Sequence, residues 1–134
     1  MYGTHGILSM NKGIAALRLR SFKCGPDYID PMFHSRVLGV PSRNLDLFLQ
    51  GRDGVLRTLC AGSGDLALLE GAMGFYDGIG GTTENSAWAL AALTDTPVIL
   101  VLRPQGQSIT LAAQILGMQR FRPQSHIVGL LLTD

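Results

Sequence analysis

Charged residues are scarce in this chain of 134 residues, at 16% of the total, against roughly 25% in an average soluble domain. The net charge is only +1 at pH 7, which gives no electrostatic reason to expect binding to nucleic acid. No apolar run approaches the roughly 18 residues that a membrane helix requires, so we expect no membrane partner. The two cysteines, Cys24 and Cys60, are too few for a disulfide framework or a four-ligand zinc site. We therefore expect a reduced, cytoplasmic protein.

A phosphate-binding loop of the G-x-x-x-x-G-K-[ST] type is also missing. Gly3, Thr4 and Gly6 resemble the beginning of such a loop, but no Gly-Lys-Ser or Gly-Lys-Thr follows them. The chain therefore lacks the lysine and the hydroxyl residue that would contact phosphates and magnesium.

What the chain does have is apolar residues, at 46%, which is enough for a sizeable core. Continuous apolar runs predict buried strands at residues 66–69, 97–102 and 127–132. Helical patterns lie between them at residues 85–93 and 108–121, the second capped by Ser108. This order predicts an α/β fold, a three-layer arrangement with a mostly parallel sheet and helices on both faces. Ligands bind such sheets at the carboxyl ends of the strands.

The first half of the chain is harder to interpret. Residues 19–23 alternate apolar and polar side chains and predict a strand, and residues 24–34, with two prolines, predict a loop. Either Asn44 or Asp46 can cap a helix that runs through Leu49. Residues 7–17 have a helix-like pattern that runs into the strand with no turn between them.

The predicted loop carries the first candidate site. Asp27 and Asp30 lie three residues apart, close to Lys23 and His34. Two acids at a strand end can hold Mg²⁺ or orient a nucleophile. The alternative is an ordinary turn in which Asp27 caps a helix, and both readings stay open.

A second candidate site follows the strand at residues 66–69. Glu70 comes directly after that strand, where an acid in an α/β sheet can bind Mg²⁺ together with phosphate oxygens. Asp77 follows a bend rich in glycine, which can fold it back toward Glu70. The alternative is a long surface loop with solvated acids. Arg43 offers a planar fork for phosphate or carboxylate.

Three blocks of sequence together resemble the cobyrinic acid a,c-diamide synthase family: residues 23–34 (KCGPDYIDPMFH), 41–46 (PSRNLD) and 69–78 (LEGAMGFYDG). The resemblance implies a phosphate-loop NTPase fold similar to dethiobiotin synthetase. It also implies a ligase that amidates the a and c carboxylates of cobyrinic acid, a corrin, in cobalamin biosynthesis. ATP and Mg²⁺ would activate each carboxylate as an acyl phosphate, and ammonia from glutamine would displace the phosphate.

The same resemblance implies roles for particular residues. Those expected to be catalytic are Asp27, Glu70 and Asp77, and Glu70 is also the expected Mg²⁺ ligand. Substrate contacts are expected from Lys23, Tyr28, Ile29, Asp30 and Arg43. Apart from the resemblance, the expected nucleotide contacts are Gly3, Thr4 and Gly6, which are like the beginning of a phosphate loop.

Two departures from the family limit what this chain is expected to do. The family's Gly-Lys-Thr loop should fall between Thr4 and Ile7, where this sequence has no such motif. Either the natural protein has further residues at this position, which is the interpretation we favour, or it lacks the loop. We expect residues 1–134 to be part of an amino-terminal ATP-binding amidoligase domain, without the carboxy-terminal glutaminase domain that supplies ammonia. The alternatives are a nucleotide-binding switch of the MinD/ParA type and an inactive truncated domain. A homodimer is left open.

Overall fold

The structure is a computed structural model, and it describes residues 17–134. The elements of this part of the chain are, in order, β1 (Leu19–Cys24), α1 (Ile29–Arg36), β2 (Ser42–Leu45), α2 (Leu47–Cys60), β3 (Leu66–Glu70), α3 (Ala87–Thr94), β4 (Val98–Leu102), α4 (Ile109–Arg120) and β5 (Ile127–Leu132), with a short 3₁₀ turn at Ile79–Gly81 between β3 and α3. The predicted contacts of Gly3, Thr4 and Gly6, and most of the helical pattern at residues 7–17, lie outside the described residues.

The predicted strands at β1, β3, β4 and β5 and the predicted helices at α3 and α4 are confirmed. Asp46, one of the two candidate caps, begins α2, because its Oδ1 accepts hydrogen bonds from the amides of Phe48 and Leu49 at 2.8 and 3.1 Å. Asn44 instead lies in β2. Ser108 does precede α4, but its side chain makes no capping hydrogen bond, so that detail of the prediction was wrong.

The predicted loop over residues 24–34 was also wrong in its second half, where α1 begins at Ile29. Asp27 Oδ1 accepts from the amide of Ile29 at 2.9 Å and reaches that of Asp30 at 3.4 Å. Pro31 is compatible with the helix because it lies in the first turn, where its missing N–H has no partner to lose. The cap at Asp27, which was the alternative reading, is therefore present.

Strand β2 was not predicted because its four residues include a single apolar one, Leu45. It forms by parallel pairing with β1, in a register that places Lys23 opposite Asn44 and Cys24 opposite Leu45. Backbone pairing of this kind leaves no periodic signal in the strand itself.

All the described strand pairs are parallel, as predicted, and within residues 17–134 they form two sheets. The first sheet has the order β2-β1-β3, and the second pairs β4 with β5. The core lies against the first sheet, where Phe22 and Leu45 meet Val55 of α2 and Leu90 of α3. The fold is therefore of the α/β class, with parallel strands and with helices packed against the first sheet.

Coverage of both sheet faces, as predicted from the apolar runs, does not extend to every strand. In β4, Ile99 and Val101 are exposed, and Leu66 and Leu68 of β3 are about half exposed. The continuous apolar runs therefore predict the strands correctly. They do not predict which side chains of those strands are buried within the described residues.

Candidate functional site

The carboxyl ends of β1 and β3 lie side by side, because these strands are parallel neighbours and Lys23 is paired in register with Glu70. The chain leaves β1 through a turn at Gly25, where φ is +88°, and then enters α1. This path returns the beginning of α1 to the same edge of the sheet. Side chains from three elements therefore meet where parallel sheets bind ligands.

Lys23 is the centre of this meeting point, which we call the lysine–acid cluster: Lys23, Asp27, Asp30 and Glu70. The Lys23 ammonium donates to Asp30 Oδ2 at 2.6 Å and lies 3.3 Å from Glu70 Oε1 and 3.8 Å from Asp27 Oδ2. Lys23 is only 4% exposed, whereas the three carboxylates reach the surface. One buried cation thus holds three acids at the edge of the sheet.

The charges in the cluster stabilise one another. Burial disfavours the ammonium, but the hydrogen bond to Asp30 and the negative charges of Glu70 and Asp30 outweigh it, so the pKa of Lys23 is above its usual 10.5. The hydrogen bond from Lys23 also lowers the pKa of Asp30 below its usual 3.8. Three carboxylates around one ammonium leave an excess of negative charge, which favours a further cation.

His34 joins the cluster from α1, although it was not among the predicted site residues. Its Nε2 lies 3.8 Å from Glu70 Oε2, and its Nδ1 lies 3.0 Å from Ser21 Oγ on β1. The missed signal was the spacing from Asp30 to His34, since residues four apart share one face of a helix. The spacing carries that meaning only in a helix, and the two prolines of this segment predict a loop.

The predicted substrate residues Tyr28 and Arg43 line an open groove of about 390 Å³ beside the cluster, together with Asp27, Met32 and Asn44. Tyr28 is 82% exposed, and Ile29, at the start of α1, is also exposed. Asn44 Nδ2 donates to the backbone carbonyl of Asp27 at 2.7 Å and so connects β2 to the turn before α1. The groove presents an aromatic ring, a thioether and a guanidinium to solvent.

Asp77 lies in the glycine-rich loop after β3, where its contacts are with Gly74 of the same loop. Its carboxylate folds over Gly74, so closely that a Cβ on Gly74 would overlap it, and its amide donates to the Gly74 carbonyl at 2.9 Å. Within residues 17–134, the acids that pair with Lys23 are Asp27, Asp30 and Glu70, and Asp77 is not among them. The structure therefore brings together four of the predicted residues around one ammonium.

Aromatic side chains anchor this loop to the rest of the molecule. The ring of Tyr76 lies 4.7 Å from that of Phe75 and 5.0 Å from that of Phe121, and its hydroxyl donates to the carbonyl of Met118 in α4. The Trp88 amide donates to the Phe75 carbonyl at 2.9 Å. The loop is therefore packed at its centre, and Phe75 contributes to that packing.

The donor set suits Mg²⁺ when another molecule supplies further ligands. Among the described residues, no group of three or more His, Cys, Asp or Glu side chains is arranged to hold a metal ion. Mg²⁺ at nucleotide sites usually takes one or two carboxylates together with phosphate oxygens and water. Glu70, partly exposed at a strand end, fits that pattern.

The class defined so far is an α/β protein of parallel strands with a lysine–acid cluster at their carboxyl ends. Comparison with known proteins narrows this class. The chain is 48% identical over 118 residues to the cobyrinate a,c-diamide synthase of Clostridium acetobutylicum, 45% over 116 residues to that of Clostridium tetani, and 46% over 121 residues to that of Gloeobacter violaceus. The predicted resemblance to the cobyrinic acid a,c-diamide synthase family is thereby confirmed.

The alignments cover 87–88% of this chain, and the chain spans about a quarter of the length of these relatives. No protein-family model matches the chain. No solved structure matches it either. In the part of the chain that the structure describes, none of the helices has the length and apolar character needed to cross a membrane.

Proposed function

We propose that the protein containing this chain amidates the a and c side-chain carboxylates of cobyrinic acid, using ATP and Mg²⁺. The observation that carries the proposal is the similarity to cobyrinate a,c-diamide synthases over most of this chain. The position of the lysine–acid cluster supports it, because phosphoryl transfer depends mainly on positioning and on neutralising charge. We further propose that the protein acts in the cytoplasm, with the corrin as its substrate.

The proposed reaction has two steps. A carboxylate oxygen of the substrate forms a bond to the γ-phosphorus of ATP as ADP leaves, which gives an acyl phosphate. The nitrogen of ammonia then bonds to the acyl carbon, loses one proton, and releases phosphate. When bound, Mg²⁺ would neutralise negative charge on the phosphate oxygens.

In this proposal, each residue of the cluster has a separate role. Glu70 holds Mg²⁺ at the carboxyl end of β3. Asp27 orients the reacting groups and accepts hydrogen bonds from the incoming ammonia through the carboxylate oxygen nearer Lys23. Lys23 is buried among the acids, so it acts mainly by holding them in place, and its hydrogen bond keeps the pKa of Asp30 low. Asp77 orders the loop that follows β3.

The groove beside the cluster is the proposed substrate site. Tyr28, Ile29 and Met32 are exposed there and offer apolar area to a flat macrocycle. Arg43 lies in the same groove, and its guanidinium can pair with one of the other carboxylates of the substrate. Asp30, held by Lys23, forms the border between groove and cluster.

Ammonia is proposed to come from glutamine through a glutaminase domain outside this chain, and residues 1–134 are proposed to form part of the ATP-binding domain. Gly3, Thr4 and Gly6 remain the proposed nucleotide contacts. Assembly as a homodimer is a further proposal.

The test uses the purified intact protein with cobyrinic acid, ATP, Mg²⁺ and either glutamine or ammonia. Mass spectrometry follows the mono- and diamide, and phosphate release is measured in parallel. Glu70→Gln is expected to lower the rate on the order of 100-fold, because it removes one charge from a preorganised site. Glu84→Gln is the matched control, since Glu84 is an exposed acid outside the cluster, and it should keep the wild-type rate.

Phosphate release without an amide product would contradict the proposal. Nucleotide-dependent dimerisation without ligase activity would favour the switch instead. An unchanged rate in Glu70→Gln would contradict the role given to that carboxylate while leaving the overall reaction standing.

A further inference from the structure

His34 lies on α1 with its ring turned toward the first sheet, and its side chain is 12% exposed. We propose that His34 is a positioning residue that orients the Glu70 carboxylate, and that the Ser21 hydroxyl fixes which ring nitrogen of His34 carries the proton. This role goes beyond the residues assigned above. The expected effect of His34 on the reaction rate rests on the proposed function, but the orientation of the Glu70 carboxylate by His34 does not.

The contacts of the ring determine its hydrogen-bonding roles. A neutral imidazole has one donor nitrogen and one acceptor nitrogen, and an ionised carboxylate only accepts. We assign the hydrogen of the neutral ring to Nε2, the nitrogen that faces Glu70 Oε2. In that tautomer Nδ1 accepts a hydrogen bond from the Ser21 hydroxyl, whose oxygen lies 3.0 Å away on a buried residue.

The two oxygens of Glu70 face different partners. Oε1 lies 3.3 Å from the Lys23 ammonium, and Oε2 lies 3.8 Å from His34 Nε2. Lys23 and Ser21 are both on β1, whereas His34 is on α1. Because the partners come from separate packed elements, together they fix the plane of the carboxylate, which a single ion pair would not do.

The expected size of the effect follows from the distances. At 3.8 Å, the contact between His34 and Glu70 is longer than a hydrogen bond, so it acts electrostatically on the orientation of Glu70. Groups that hold a ligating or catalytic side chain in place typically contribute 10–100-fold, and we expect His34→Ala to lower kcat roughly tenfold, at the low end of that range.

Two conservative variants separate positioning from packing. The amide nitrogen of His34→Gln extends to the place of Nε2 and keeps a donor toward Glu70. The shorter side chain of His34→Asn reaches only the place of Nδ1, beside Ser21. We expect Gln to restore most of kcat and Asn to restore little, with KM for the corrin unchanged in both. Equal rescue by Asn and Gln would overturn the proposal.

A spectroscopic measurement tests the orientation without relying on activity. Nitrogen NMR of the intact protein labelled at its histidines distinguishes the two neutral tautomers, and His34→Gln identifies the signal of His34. We expect the Nε2–H tautomer in the wild type and loss of this preference in Ser21→Ala. An Nδ1–H tautomer in the wild type, or a signal that does not respond to Ser21→Ala, would overturn the proposal.

The control is His126→Gln, because His126 pairs with Asp95 at 3.2 Å, away from the cluster. It should leave both kcat and the His34 signal unchanged. If the wild-type protein forms no amide, the proposed function fails, and the NMR experiment still decides the orientation of His34.

Discussion

The two sheets are both parallel, yet they differ in what they bury. In the first sheet, Phe22 and Lys23 are adjacent on β1, and both are buried. In the second, Ile99 lies in an entirely aliphatic strand and is 65% exposed. A lysine in one sheet is therefore better covered than an isoleucine in the other.

Within residues 17–134, burial follows what packs against a strand more than the strand's own composition. Helices α2 and α3 contribute Val55 and Leu90 to the core over β1 and β2. The ammonium of Lys23 is stable in that setting because carboxylates compensate for its loss of water. The charged cluster thus depends on the same elements that form the core.

The largest expected effect on stability comes from a pair of alanine substitutions, one in each sheet. Phe22→Ala removes a ring at the centre of the core and should lower the free energy of unfolding by about 3–5 kcal/mol. Ile99→Ala removes an exposed side chain and should cost less than about 1 kcal/mol, mainly through strand propensity. Chemical denaturation of both variants measures the contrast. Similar losses for the two would mean that the second sheet is covered as well as the first.

The next test removes the buried charge. Lys23→Met keeps the length of the side chain but leaves three carboxylates without their shared cation. Since those carboxylates are partly exposed, we expect a loss of about 2–3 kcal/mol, below the cost of breaking a fully buried pair. Arg18→Ala is the control, because its pair with Asp65 is exposed, and it should not change stability measurably. A Lys23→Met protein as stable as the wild type would show that the cluster is solvated.

Much of this architecture could be predicted from the sequence, because long apolar runs and helical spacing report directly on strands and helices. Strand β2 could not, since its single apolar residue, Leu45, gives no pattern. Helix α1 was hidden by Pro31, which signals a turn unless the cap at Asp27 is already known. The division into two sheets depends on pairing between distant strands, which composition does not encode.

For the candidate site, the sequence predicted the residue types and their place at strand ends. Asp27, Asp30 and Glu70 do meet, and Lys23 lies between them. The burial of Lys23 could not be predicted, because the exposure of a side chain cannot be derived from its neighbours in the chain. It left out His34 because the face that His34 shares with Asp30 exists only once α1 is known.

A third prediction concerns the loop after β3, which connects the first sheet to α3. A Cβ on Gly78 would overlap the backbone carbonyl of Glu84, so Gly78→Ala forces the loop to shift and should cost about 1–3 kcal/mol. Gly117→Ala is the matched control, because Gly117 is inside α4 with open space around it. It should stabilise the protein by up to about 1 kcal/mol. Thermal unfolding of the two variants compares them, and equal shifts would contradict this account of the loop.

The smallest expected effect is on the pH dependence of Tm in the acid range, and it concerns Asp30 at the edge of the first sheet. The pKa of Asp30 is lowered by its hydrogen bond from Lys23. A depressed pKa in the folded state means that the stabilisation is complete above the usual 3.8 and is lost as the pH falls through the lower, folded-state value. Asp30→Asn should therefore flatten the fall in Tm below about pH 4. Asp95→Asn, at the end of α3 with Asp95 91% exposed, is the comparison variant, because Asp95 lies outside the lysine–acid cluster. If both substitutions changed the profile equally, the acid response would not belong to the lysine–acid cluster at the edge of the first sheet.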